Sequence, residues 1–126
     1  MTNYYNINVT LHLTKNSDTG SGFCTTGFTF GRNLVKDSTG EIFSNLPTMG
    51  HLVTVCGYPY GGIQSGAYWF SIENEDNVVL YQPLATASGS TFAVFPNIYY
   101  PANSKFVAHC DDSGAGMYKF NILVRK

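Results

Sequence analysis

His109, Cys110 and Asp111 stand in a row, and an imidazole, a thiol and a carboxylate are the parts of a cysteine nucleophile with its base. The surrounding residues argue against that chemistry. Phe106 to Cys110 has the composition of an extended segment, in which successive side chains point to opposite faces, so His109 and Cys110 cannot hydrogen-bond directly. Phe106 and Ala108 fall on the Cys110 side, which makes Cys110 a core residue and His109 a solvent-facing one. Carboxylates gather in two turn-like stretches, Glu73, Glu75 and Asp76 in one and Asp111 and Asp112 in the other. They could hold a calcium ion or form a general acid/base pair only if the two turns met at one end of the molecule. Their spacing matches no calcium loop, and turn chemistry alone explains acidic residues there. His12 and His51 are isolated and read as solvent-facing strand residues.

Cys24, Cys56 and Cys110 are odd in number, widely spaced and without a Cys-x-x-Cys pair, so neither a disulfide framework nor a zinc ribbon is indicated. Reduced, buried thiols are the expectation. No catalytic residue, metal set or cofactor loop emerges, and the chain is expected not to be an enzyme.

The stretch most suited to recognition is Gly57-Tyr58-Pro59-Tyr60-Gly61-Gly62-Ile63-Gln64-Ser65-Gly66. Its glycines permit close backbone approach, and a tyrosine offers a flat apolar face and a hydroxyl at small entropic cost. Read as a binding loop, it makes Tyr58, Tyr60, Gly61, Gly62 and Gln64 the candidate partner- or ligand-binding residues. The competing reading is an irregular strand connection whose tyrosines cap the core. No Gly-Lys-Ser or Gly-Lys-Thr follows, so it is not a phosphate loop.

Strands must position all of these residues. Tyr5, Ile7, Val9, Leu11 and Leu13 alternate with polar residues, and Tyr118, Phe120, Ile122 and Val124 near the other end alternate with Lys119, Asn121, Leu123 and Arg125. Phe120, Ile122, Val124, Ile7, Val9 and Leu11 are therefore the predicted heart of a shared core. Between them the β-branched and aromatic runs 23–30, 34–36, 41–45, 52–58, 68–73, 78–83, 91–95 and 106–110 are punctuated by Gly, Asn, Asp and Pro. Asp37 to Gly40 reads as a turn, Asn74 to Asn77 closes a hairpin, and Asp111 to Gly116 is expected to close a final one. No stretch has the period of a helix long enough for a core. About ten short strands predict an all-β fold, a two-sheet antiparallel sandwich or jelly roll with essentially no helix, in one domain over residues 1–126.

Composition narrows the partners. The 126 residues are 44% hydrophobic, too apolar for a disordered chain, yet only 12% are charged. A net charge of −1 gives no cationic footprint for phosphate neutralisation, so nucleic acid is not an expected partner. No apolar run reaches membrane-spanning length, and Met1-Thr2-Asn3-Tyr4 lacks the cationic start of a signal peptide.

From Tyr99 the chain reads Tyr99-Tyr100-Pro101-Ala102-Asn103-Ser104-Lys105-Phe106, then a strand, a glycine-rich turn and a closing strand. This resembles the final hairpin of small β-sandwich accessory proteins, cement or decoration proteins, of tailed-phage virions. The resemblance covers about the last third of the chain. It implies a non-enzymatic virion protein, made in the host cytoplasm, whose partners are other virion proteins or copies of itself in a homo-oligomer. A surface rich in Asn, Ser, Thr, Gly and Tyr suits a lectin-like module equally, and a glycan is the alternative partner.

Overall fold

A computed structural model of the chain describes residues 3–13, 23–31, 47–60, 66–87, 89–111 and 116–126. Among them are nine strands and no helix: β1 Tyr4–Leu13, β2 Phe23–Thr29, β3 Gly50–Tyr60, β4 Tyr68–Glu73, β5 Val79–Tyr81, β6 Phe92–Val94, β7 Ile98–Tyr100, β8 Lys105–Asp111 and β9 Gly116–Arg125. The expected strands at 34–36 and 41–45 and the turn between them lie outside the described residues. All pairings are antiparallel and build two sheets, the first ordered β1-β9-β3 with β6 and β7 following one another along the far side of β3, the second β2-β8-β4-β5. The fold is the two-sheet, all-β architecture that the alternation predicts.

The two terminal strands pair along their whole length, from Tyr4 opposite Arg125 to Leu13 opposite Gly116. Val9, Leu11, Phe120, Ile122 and Val124 are buried and Ile7 packs against them, so the predicted core holds. Aromatic rings fill the space between the sheets. Phe106 of β8 stacks on Phe70 of β4 at 5.1 Å and meets Phe120 of the opposite sheet edge-on at 5.2 Å. Tyr68 and Tyr118 face each other across the sheets at 4.5 Å. Such ring pairs contribute about 0.5–1.5 kcal/mol beyond their burial. Buried tyrosines need a partner for each hydroxyl. Tyr68 donates to the carbonyls of Ser90 (2.6 Å) and Gly57 (3.2 Å), and Tyr100 donates to that of Pro47 (3.0 Å). Burial pushes the Tyr68 phenol up to about 12 and the Tyr100 phenol higher still.

The β4–β5 hairpin closes as predicted. The Asn74 side chain accepts from the amides of Asp76 and Val78, both at 2.9 Å, and Asn77 takes a positive φ of 64°. The expected final hairpin does not form. β8 is flanked by β2 and β4 in one sheet and β9 by β1 and β3 in the other, so the chain between Asp111 and Gly116 passes from sheet to sheet. Alternation locates a strand but does not choose its neighbour, and each of these strands has both edges taken.

One irregularity decides which side chains β3 shows to solvent. Leu52 is opposite Val124 and Thr54 is opposite Leu123, leaving Val53 as an extra residue in a bulge. Gly50 and Leu52 point inward before it, Val55 and Gly57 after it.

Candidate functional site

The Tyr58–Gly66 stretch is only partly a loop. Tyr58, Pro59 and Tyr60 are the last residues of β3, opposite Lys119, Tyr118 and Met117 of β9. Gly61, Gly62 and Gln64 lie outside the described residues. Pro59 is tolerated because, among the described residues, β6 flanks β3 only at Val55–Gly57. Beyond Gly57 a missing N–H breaks no ladder on that side. The bulge at Val53 sends Tyr58 and Tyr60 outward, where they are 44% and 40% exposed. Gly57 sets their root: a β-carbon there would lie 2.4 Å from the Phe92 ring, so only glycine lets β6 close over this part of the strand.

Register builds the rest of this outer face. Thr10, Lys119 and Tyr58 form one row, and His12, Met117 and Tyr60 the next. The Lys119 ammonium lies 4.2 Å from the centre of the Tyr60 ring, a cation–π contact. Further along come Asn8, Asn121 and Cys56, with the Asn121 amide donating to the Asn8 side-chain oxygen. At the far end Tyr4, Arg125, His51 and Tyr99 share a row, with the His51 and Tyr99 rings edge-on at 5.7 Å. Among the described residues no carboxylate side chain belongs to β1, β9 or β3.

The outer face of the second sheet holds a cluster that sequence reasoning missed. Trp69, Ser71 and Glu73 alternate along β4, and His109 of β8 is opposite Trp69, their rings parallel within 9° at 5.5 Å. Ser71 Oγ is 2.9 Å from His109 Nε2 and 3.2 Å from Glu73 Oε2. Serine, histidine and glutamate invite a nucleophile reading. The single hydroxyl proton serves either the carboxylate or the imidazole, and the tautomer of His109 sets which. Ser71 is, however, buried on a face where its neighbours cover it. His109 faces outward as the alternation suggests but is half-buried against Trp69; burial pushes its imidazole below the usual histidine range, with the nearby Glu73 pulling the other way.

Cys110 is in the core, so His109 and Cys110 do point to opposite sides. Cys56 departs from the expected buried thiols: it is a free thiol on the outer face of β3, partly exposed. The two acidic turns do not meet. Glu73 is opposite Lys105 at one end of β8, and Asp111 closes the other end. Asp112 lies outside the described residues, and among those described no group of three or more His, Cys, Asp and Glu could hold a metal ion.

No protein-family model matches the chain, and no curated protein matches it.

Among the described residues the two outer faces differ in character. One offers exposed tyrosines, amides and cations; the other closes its polar groups on each other. Among the described residues no helix is long and apolar enough to cross a membrane. The signal for Tyr58 and Tyr60 was their place in a glycine-rich stretch. The Trp69–His109 cluster had no comparable signal, because it depends on the pairing of β4 with β8.

Proposed function

We propose that the chain is a non-enzymatic assembly or recognition protein that works by protein–protein contact through the outer face of β1-β9-β3. The observation that carries this reading is the pair of tyrosines at 44% and 40% exposure, set side by side with Lys119 and Met117 on a regular sheet. Tyrosine and methionine are enriched at the centres of protein interfaces and lysine is depleted, so the apolar rings and thioether form the contact and Lys119 its rim. A virion surface, where the same contact repeats over many copies, is the setting that the resemblance of the last third suggests; repetition lets weak single contacts hold.

The test is the double variant Tyr58→Ser with Tyr60→Ser. Its melting temperature should stay close to that of the wild type, since both side chains stand outside the core. Particles of its own source, or cross-linked partner polypeptides from them, should be retained at least about tenfold less well, equivalent to about 1.4 kcal/mol. Retention unchanged at unchanged stability would refute the reading. Loss of binding on a glycan array, with protein retention intact, would transfer the same face to the carbohydrate alternative.

A further inference from the structure

Charge is divided between the two outer faces. Among the described residues, Lys119 and Arg125 project from the β1-β9-β3 face alongside His12 and His51. The described carboxylates, Glu73, Glu75, Asp76 and Asp111, all belong to the second sheet and its β4–β5 turn. That side also holds Lys105, whose ammonium is engaged by the Asn77 side chain. Among the described residues, then, cations stand on one broad face and most of the carboxylates on the side of the other.

The spacing of these charges agrees as well as their sign. Lys119 and Arg125 lie six positions apart on one side of β9, roughly 20 Å at about 3.4 Å per residue. Glu73 is in register with Lys105, and Asp111 lies six positions from Lys105 on the same side of β8, again roughly 20 Å. The directions match too. The Asp111 end of β8 and the Gly116 end of β9 are joined by a short span of chain, so they lie at the same end of the sandwich.

We infer that the partner of the tyrosine-bearing face is the Trp69–Glu73 face of a second copy, the copies stacking front to back in one direction. This rests on the function proposed above and names its partner. In such a stack Lys119 comes opposite Asp111 and Arg125 opposite Glu73, which sets Tyr58 in the row of Asp111 and Asn121 in the row of His109. Sheets packed face to face keep their strands within about 30° of each other, so the strands of neighbouring copies run in nearly one direction. The contact joins two different faces, so it is heterologous: each copy keeps one free face of each kind, and assembly grows into a ring or a filament. Asp111 also accepts from the amide of Ala67 and Glu73 from Ser71, so both carboxylates are held in place before a neighbour arrives.

Sedimentation velocity of three proteins decides it: the wild type, a cation-face variant (Lys119→Glu with Arg125→Glu) and an acid-face variant (Glu73→Gln with Asp111→Asn, which keep the acceptor oxygens). Wild type should grow with concentration past a dimer and fall back in high salt. Each variant alone should associate at least about tenfold more weakly. Mixed, the two should form a dimer that grows no further, because only one intact pair of faces remains. A wild type that stays monomeric at every concentration overturns the inference, and so does a closed dimer whose variants show no complementation. Should a double variant fail to fold by circular dichroism, Lys119→Gln and Glu73→Gln replace it, with the same complementation expected. A monomeric wild type whose Tyr58→Ser, Tyr60→Ser form still loses particle retention would sink the self-stacking and leave the assembly reading in place.

Discussion

The two outer faces follow the same strand alternation and end in opposite states. On β4 and β8, Ser71, His109 and Glu73 engage their polar groups with one another and Trp69 lies flat on the imidazole. On β3, Tyr58 and Tyr60 keep much of their surface exposed, and Tyr4 of β1 and Tyr99 of β7 even more, at 60% and 52%. A polar group already satisfied inside the molecule contributes to stability; an apolar ring left exposed has its stabilisation still to gain from a partner. Substitutions should therefore separate the faces, stability changing with one and association with the other.

The largest effect should come from neither face but from the core they share. Phe120→Ala removes a buried ring that meets Phe106 across the sheets, and should cost about 3–5 kcal/mol in denaturant unfolding. A loss below about 1 kcal/mol would mean that the sheets are not held by these rings.

Next comes Ser71→Ala. It strips the shared hydroxyl from both His109 and Glu73, which are only partly buried, and loss of such a hydrogen bond costs about 0.5–1.5 kcal/mol. Association through the opposite face should persist. Equal sensitivity of stability to Ser71→Ala and to Tyr58→Ser with Tyr60→Ser would erase the contrast between the faces.

A smaller effect is expected from pH. Burial lowers the His109 imidazole below its ordinary 6.5, against the opposing pull of Glu73. As pH falls below 6.5 the unfolded chain takes up a proton that the folded one resists, so stability is full above that value and is lost as pH drops through the folded one. Unfolding curves of the wild type and His109→Gln, taken from neutral to mildly acidic pH, should converge as pH falls. Parallel curves would show that His109 is not the group responsible.

The smallest perturbation is a thiol label. Native Cys56 should react readily from its partly exposed position on the outer face and Cys110 only after unfolding. If assembly covers the β1-β9-β3 face, Cys56 labelling should slow as concentration rises; labelling at one rate in monomer and assembly would place the contact elsewhere.

Much of the fold was legible because alternation is a local property. Residues 68–73 read as a strand with the bounds that β4 takes, and both terminal strands were found within a few residues of their ends. What alternation cannot carry is pairing. The Asp111–Gly116 connection looked like a hairpin because nothing in it records that β2 and β4 already hold β8. Ile98–Tyr100 went unread as a strand because three residues running into Pro101 make no pattern of their own; their state follows from Leu52 to Gly50 alongside. The same limit governs the sites. Tyr58 and Tyr60 stand out locally, although Pro59 made strand look like loop. Ser71 and His109 are 38 residues apart, and only the register of β4 on β8 brings them within 2.9 Å.

Val53 gives β3 a changed parity. Even-numbered side chains belong to the interior up to Leu52, and odd-numbered ones from Val55 onward. Were the same residues to run as a regular strand, one parity would hold throughout, and two phenol rings would be driven into a space that Gly57 now leaves for Phe92. Each half of the strand can thus change its sequence under its own rule, the first as part of the core beside β7, the second as the frame of a display surface. The strand is continuous as a backbone and divided as a unit of selection.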